Sequence, residues 1–322
     1  MSMNENASRS ASISKPQSNM QRKLKMAKNN YILYIMIALP MVYFIIFKYI
    51  PMTNIVVAFK DYNMFKPVWE SPWAEDTFKY FKMAFKSQDF IRGLRNTIVL
   101  NFLDLAVGFP APIIMAILIN EIPHRRFKKI SQTIVYMPHF LSWIIISGIA
   151  MQIFAPENGV VNILLSRAGL STIPFLNNPV MWIATYIALG IWQSAGYNAI
   201  VYLAAITGIN MELYEAAEVD GAGRLRKIWN VTLPGIRSTI VVMLILNLGR
   251  ILSIGFDRPY AMGNFSVRQV SDVISTYVYR VGIESQQYSL ATAVGLFQSV
   301  VCVIFLVIAN KIASRLGEQG IW

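Results

Sequence analysis

The residues of this chain whose types could do chemistry point away from catalysis. Its two histidines, His124 and His139, have only Glu121 as a nearby carboxylate, which is too few ligands for a metal site. No nucleophile sits with a base and an orienting group, and no two carboxylates are spaced for acid–base work. The sequence holds no Gly-Lys dipeptide and so no GxxxxGK[ST] phosphate loop. We therefore expect no enzyme, no catalytic residue, no metal and no cofactor bound by this chain. The informative residues are polar side chains set in apolar runs. Asp104 and Arg250 are costly there and should face protein or water. They are expected to pair across two helices, either as a lock between helices or as part of a solute path. Gln193, Tyr197, Asn198, Tyr202 and Asn247 offer rings that could stack on apolar CH faces and amides that bond hydroxyls, a combination suited to a carbohydrate. Such amides serve equally well as hydrogen bonds between membrane helices.

The elements that carry these residues are apolar segments. The chain has 322 residues, 55% hydrophobic and 14% charged, which excludes an ordinary soluble domain. Its formal charge of +12 suits loops facing anionic lipid, and nucleic acid is not an expected partner. The single cysteine, Cys302, excludes an internal disulfide. Residues 1–30 form a flexible basic tail with Arg22, Lys23, Lys25 and Lys28. No small-x-small cleavage site follows Phe47, so the first apolar run is expected to stay in the mature protein.

Six spans are expected, at 31–47, 96–120, 131–154, 180–208, 236–256 and 288–310. The first is short, and Lys48 should snorkel outward. Prolines 40, 110, 112 and 138 should supply kinks, His139 should be a hydrogen-bonded helix-start residue, and Arg250 falls inside the fifth span. Arg125, Arg126, Lys128 and Lys129 crowd one short loop, which places it and the N-terminus in the cytoplasm. The first outer segment should hold an amphipathic helix, because Phe78, Phe81 and Phe85 recur at helical spacing among Lys79, Lys82 and Lys86. The outer loop at 156–165 has room for another. The fold class is thus an all-α polytopic membrane protein. A tail at 1–30, a six-helix domain at 31–313 and a C-terminal tail at 314–322 make up the chain.

One charged stretch interrupts the apolar pattern on the cytoplasmic side. Residues 210–234 read as a bent helical elbow: Asn210 can cap a first helix, and Asp220-Gly221 breaks it, since glycine tolerates positive φ. Arg224, Arg226 and Lys227 make the second arm basic. Pro234 should bias Leu233 away from helix and open the next one. Ala216, Ala217 and Ala222 are small enough near the bend to admit another backbone.

Glu215-Ala216-Ala217, Gly221, Val231, Leu233 and Pro234 resemble the EAA loop of binding-protein-dependent ABC importer permeases of type I, with Val231 where that pattern has Ile. Asn96-Thr97 and the segments AILINEI (116–122), YMPHFLSW (136–143) and SDVISTYVYRVG (271–282), with the ending in Trp322, look like the branch that imports oligosaccharides or polysaccharide fragments. The resemblance implies half of a translocation pathway in a bacterial cell membrane, working with a second permease, two ATPase subunits and an extracytoplasmic solute-binding protein. ATP and Mg would be used by the ATPase. Glu215, Ala216, Ala217, Asp220, Gly221, Ala222, Leu233 and Pro234 would form the coupling helix that docks on it. The same machine carrying an amino acid, peptide or phosphodiester stays open, as does a secondary transporter.

Overall fold

The computed structural model describes residues 30–315. The basic tail with Arg22, Lys23, Lys25 and Lys28, and the C-terminal end with Trp322, lie outside the described residues. The described residues are helical and contain no strand, with one isolated antiparallel bridge between Lys60 and Trp73. The all-α expectation holds.

The chain divides after Val56 into two compact units. The first carries most of helix α1, Tyr31–Phe59. At 29 residues, a helix rising ~1.5 Å per residue reaches well beyond the ~30 Å of a bilayer core. Residues 30–55 are all exposed and mostly apolar, so α1 presents hydrophobic surface all round. The short span expected at 31–47 is corrected: the helix runs on past Lys48 and Pro51.

A local device accompanies Pro51, although Pro40 sits in regular α-helix without one. Proline lacks an N–H, and its ring crowds the carbonyl four residues back. A π-turn at Ile45–Tyr49 stands directly before Pro51, a second at Asp104–Gly108 before Pro110, and a third at Ile228–Thr232 before Pro234. Each widened turn moves the obstructed carbonyl aside and lets the helix continue. Leu233 accordingly stays helical (φ −62°, ψ −45°), contrary to the extended conformation expected before Pro234.

The second unit contains α2 (Lys79–Lys86), α3 (Gln88–Asn120), α4 (Arg125–Phe140), α5 (Trp143–Phe154), α6 (Val160–Arg167) and α7 (Pro179–Thr207). The elbow follows as α8 (Met211–Val219) and α9 (Arg224–Gly235), then α10 (Arg237–Leu248), α11 (Asp257–Met262), α12 (Ile274–Tyr279) and α13 (Tyr288–Arg315). Among the described residues, α1, α3 and α13 are long and apolar enough to cross a membrane. The count rises to five if the bent pairs α4/α5 and α9/α10 each form one span.

Two expected spans take other shapes. The one at 131–154 is broken by 101° between α4 and α5, where Leu141 is extended and Ser142 caps α5 by accepting from the Ile145 N–H at 3.4 Å. The one at 236–256 stops at Leu248, and Arg250 lies in the turn beyond it. The expected outer helices are present as α2 and α6. Phe81 packs against Phe59, and Phe85 against Phe90 and Phe297, so the aromatic face of α2 rests partly on the protein itself.

Helix α7 is the spine of the second unit. Asn178 caps it by accepting from the Val180 and Met181 N–H groups. One end buries Trp182 and Tyr186 against Leu100, Met262 and Val273, with the indole N–H donating to the Met262 carbonyl at 2.8 Å. The other end buries Ala199, Tyr202 and Ile206 against Ala116 and Ile236. A third cluster joins Phe90, Ile274, Tyr277 and Leu290.

Segment 269–280 is held to α3 by a polar clamp. Asn96 donates to the Gln269 and Asp272 carbonyls at 2.9 and 2.8 Å, and the Thr97 hydroxyl accepts from the Ile274 N–H. Asp272, with 3% of its side chain exposed, meets Arg280 at 2.8 Å and Arg92 at 3.2 Å and accepts from Thr276. Burial would raise its pKa, but the bonds from Arg280, Thr276 and Arg92 outweigh it and hold the carboxyl below its ordinary 3.8. A carboxylate depressed in the fold adds stability above its unfolded pKa and loses it as pH falls through the folded value. The clamp's contribution should therefore be constant from pH 5 to 8 and fade only in stronger acid. Asp272→Asn should cost about 2 kcal/mol or more, because the buried carboxylate is the shared partner of two half-buried guanidinium groups that would keep only the exposed Asp89. Asp61→Asn, at the solvent-exposed pair with Lys79, should cost less than about 1 kcal/mol. Thermal scans of the purified protein in detergent check both, and equal losses would refute the distinction.

Candidate functional site

The elbow is built by local chain chemistry. Asn210 accepts from the Glu212 N–H at 3.1 Å and starts α8. At the far end the Ala222 N–H reaches the Ala217 carbonyl at 2.8 Å and the Gly221 N–H reaches that of Glu218 at 3.0 Å. This is the Schellman closure, and it requires the left-handed residue that Gly221 supplies at φ +69°. Lys227 bridges back to Glu218 at 2.9 Å and draws that carboxyl below its ordinary pKa. The Tyr214 and Thr232 hydroxyls meet at 2.9 Å, joining the two arms. Asp220 and Ala216 are exposed beside the bend, as is Glu215, with no side-chain partner among the described residues. Ala217, Ala222 and Leu233 are half-buried and Pro234 is exposed. Met211, Val219, Leu225 and Trp229 expose large apolar surface on the same segment. An elbow braced by internal bonds that exposes large apolar side chains among its charges is suited to gripping another protein.

A second site lies at the middle of α7. The π-turn in α3 presents Asp104, and α11 sends Arg258 back to meet it at 2.8 Å. The same guanidinium donates to the Tyr186 carbonyl, lies 3.6 Å from the Tyr186 ring centroid and 5.1 Å from that of Trp143. Gly190 makes the room: a Cβ there would fall 2.1 Å from Arg258 Nη2. The expected Asp104–Arg250 pair is thus corrected. Arg258 takes Asp104 because α10 ends at Leu248 and the chain turns back into the protein through 249–256. Drawing the fifth span to residue 256 had placed Arg258 among the outer-loop charges. The DRP triplet after Gly255 is the signal that could have found it, since an arginine soon after a glycine-flanked turn can re-enter the protein.

Beside this knot lies a cleft of about 470 Å³, lined by Asp104, Asn198, Tyr202, Asn247 and Arg250 together with Asn101 and Arg258. An adjoining cleft of about 510 Å³ adds Gln193 and Asp257. Tyr202 is 1% exposed, so it forms wall more than surface. Tyr197 stands apart, stacked on the His139 ring at 3.9 Å, while Gln193 donates to the His139 carbonyl at 3.3 Å. His139 therefore contributes a stacking face and a hydrogen-bonded carbonyl, its buried Nδ1 has no hydrogen-bond partner, and it lies in the last turn of α4 and not at a helix start. Among the described residues no three His, Cys, Asp or Glu gather where they could hold a metal ion.

A polytopic helical chain with a protruding elbow and a polar cleft along its central helix defines a membrane transport permease. The family described as binding-protein-dependent transport system inner membrane component matches residues 108–318, and the chain belongs to that family. It is 42% identical over 312 residues, 97% of this chain and 96% of the other, to the polygalacturonan/rhamnogalacturonan transport system permease protein YteP of Bacillus subtilis (strain 168). It is 43% identical over 290 residues, 90% and 91% of the two chains, to protein LplB of the same organism. In solved structures it matches a chain of a bacterial ABC transporter that imports the acidic polysaccharide alginate, with TM-score 0.83 and 41% identity over 91% of this chain and 99% of that one.

The knot predicts a specific energetic coupling. In a double-mutant cycle on the thermal stability of the detergent-purified protein, Asp104→Asn with Arg258→Gln should show a coupling of roughly 1–3 kcal/mol, whereas Asp104→Asn with Arg250→Gln should be additive within about 0.5 kcal/mol. The reverse ordering would restore the pair first expected.

Proposed function

We propose that this chain forms half of the translocation pathway of an ATP-driven carbohydrate importer, moving an oligosaccharide or polysaccharide fragment. The observation that carries the sugar reading is 42% identity over 97% of the chain to a permease for polygalacturonan and rhamnogalacturonan. It favours a saccharide over the amino acid, peptide or phosphodiester alternatives. The alginate transporter has also been solved in complex with its pentasaccharide-bound periplasmic protein. That supports an extracytoplasmic solute-binding protein as a partner here.

The fold reading that goes with it is six spans with the N-terminus in the cytoplasm. Helices α1, α3, α7 and α13 supply four, and the bent pairs α4/α5 and α9/α10 supply two. The 29 residues of α7 are long enough to cross, and their polarity comes from side chains directed at the clefts and the core. Residues 31–313 then form one permease domain in a bacterial cell membrane, between cytoplasmic tails.

A second permease completes the pathway, and two ATPase subunits bind and hydrolyse ATP with Mg; this chain catalyses nothing itself. Coupling runs through the elbow. Glu215, Ala216, Ala217, Asp220, Gly221, Ala222, Leu233 and Pro234 seat in a groove of an ATPase, Glu215 meets a basic group there, and Gly221 sets the angle between the arms. Closure of the ATPase pair draws two elbows together and turns the permeases from inward-open to outward-open as rigid bodies. Asp104, Gln193, Tyr197, Asn198, Tyr202, Asn247 and Arg250 border the path. Of these, Tyr197 has the weakest geometric support, since its ring is engaged with His139.

In the assembled importer, Glu215→Ala and Gly221→Pro should leave expression and subunit assembly intact while abolishing solute-stimulated ATP hydrolysis. Normal stimulation in both variants would remove the elbow from this role.

A further inference from the structure

The two arginines of the larger-walled cleft are in opposite electrostatic situations. Both terminal nitrogens of Arg258 are engaged, by Asp104 and the Tyr186 carbonyl, and the guanidinium lies over the Tyr186 ring. Arg250 is exposed to the cleft, and its guanidinium has no hydrogen-bond, ion-pair or aromatic partner among the described residues. The cleft of about 470 Å³ therefore holds two guanidinium groups against one carboxylate, and that carboxylate is already spoken for. Asp257 lines the adjoining cleft, which Arg250 and Arg258 also line, but it forms no ion pair with either of them among the described residues. Arg250 is also held in place: Asn101 on α3 donates to the Ile251 carbonyl at 2.6 Å, pinning the turn that carries it.

A guanidinium without a partner, set in the turn just beyond a membrane-type helix and facing a polar cleft, is placed to serve an ion or solute. A neutral sugar has no need of a full positive charge. A carboxylate does, because guanidinium presents planar paired donors that match its two oxygens, and the match strengthens away from bulk water. Asn198 and Asn247 on the same wall retain amide oxygens for hydroxyl groups. We propose that Arg250 is the carboxylate-binding, specificity-determining residue of the cleft, and that the solute is a uronate-bearing oligosaccharide. This rests on the carbohydrate reading above and adds to it a charge class and a residue.

The test has two arms, both on the assembled importer. In the first, a uronate trisaccharide and its neutral methyl ester are each bound to the detergent-purified complex without its solute-binding protein, for wild type, Arg250→Gln and Arg250→Lys. The wild type should prefer the acid. Arg250→Gln should weaken acid binding about tenfold or more while leaving the ester unchanged, as expected for losing a hydrogen bond to a charged group, and Arg250→Lys should recover part of the loss. Equal binding of acid and ester by the wild type overturns the proposal, as does an Arg250→Gln variant that binds the acid within twofold of wild type. Loss of subunit assembly in Arg250→Gln, read by size exclusion, also overturns it, because Arg250 would then be serving a partner subunit. In the second arm, ATP hydrolysis is measured with the solute-binding protein and either saccharide. Stimulation by the neutral ester alone overturns the charge class and leaves the carbohydrate reading standing, whereas no stimulation by any saccharide overturns that reading as well.

Discussion

One half-buried charge pair organises the second unit. Arg258 and Asp104 meet where α3, α7 and α11 converge, and neither belongs there without the other: an isolated guanidinium or carboxylate at that depth would be far costlier than the pair. The arrangement requires a glycine at 190 to admit the guanidinium, two aromatic rings to cover it and a π-turn to bring Asp104 round. With these satisfied, α7 is tied to α3 through the pair, and both clefts are lined by it. In the proposed function the groups beside it that meet solute are Arg250, the Asn198 amide and the Asn247 amide oxygen, the Asn247 NH2 being bonded to the Met243 carbonyl.

In the proposed importer the helices must also transmit motion without collapsing, and the proline sites bear on how they could. Three prolines lie in continuous helices because a widened turn precedes each one, so the helical rods stay mechanically connected. In α9 that device carries the elbow's second arm through Pro234 to Gly235, and only then does the chain bend, by 61°, into α10. With Gly221 closing α8 and the Tyr214–Thr232 contact between the arms, the elbow is joined to α10 through hydrogen-bonded elements and not through a slack loop.

Much of this was legible in the sequence, and the misses have physical causes. The elbow was readable because its capping and breaking residues act locally: Asn210 and Gly221 do where they stand what their types favour. The spine at 180–208 was readable from its length without charge. Leu233 was misread because the bias of a pre-proline residue assumes an ordinary helical turn, and a π-turn removes the clash. The fifth span was drawn too long because apolarity continues through the turn at 249–256, and hydropathy does not separate a crossing from a buried reversal. That error hid Arg258 and gave its partner to Arg250. The Asp272 clamp was invisible for a similar reason: its members lie about 180 residues apart along the chain and meet only once α3 and α12 pack.

The central claim is that the cleft beside the Arg258–Asp104 post is a solute path whose opening is set by the ATPase through the elbow. The most direct measurement replaces Cys302 by Ser and places a single cysteine at Asn247, on the cleft wall. Its reaction with a membrane-impermeant thiol reagent is then followed from each side of reconstituted vesicles, with and without ATP held unhydrolysed. The account predicts labelling from the cytoplasmic side without nucleotide and from the opposite side with ATP, and a Glu215→Ala background that stays in the first state. Labelling indifferent to ATP, or from neither side, would contradict it.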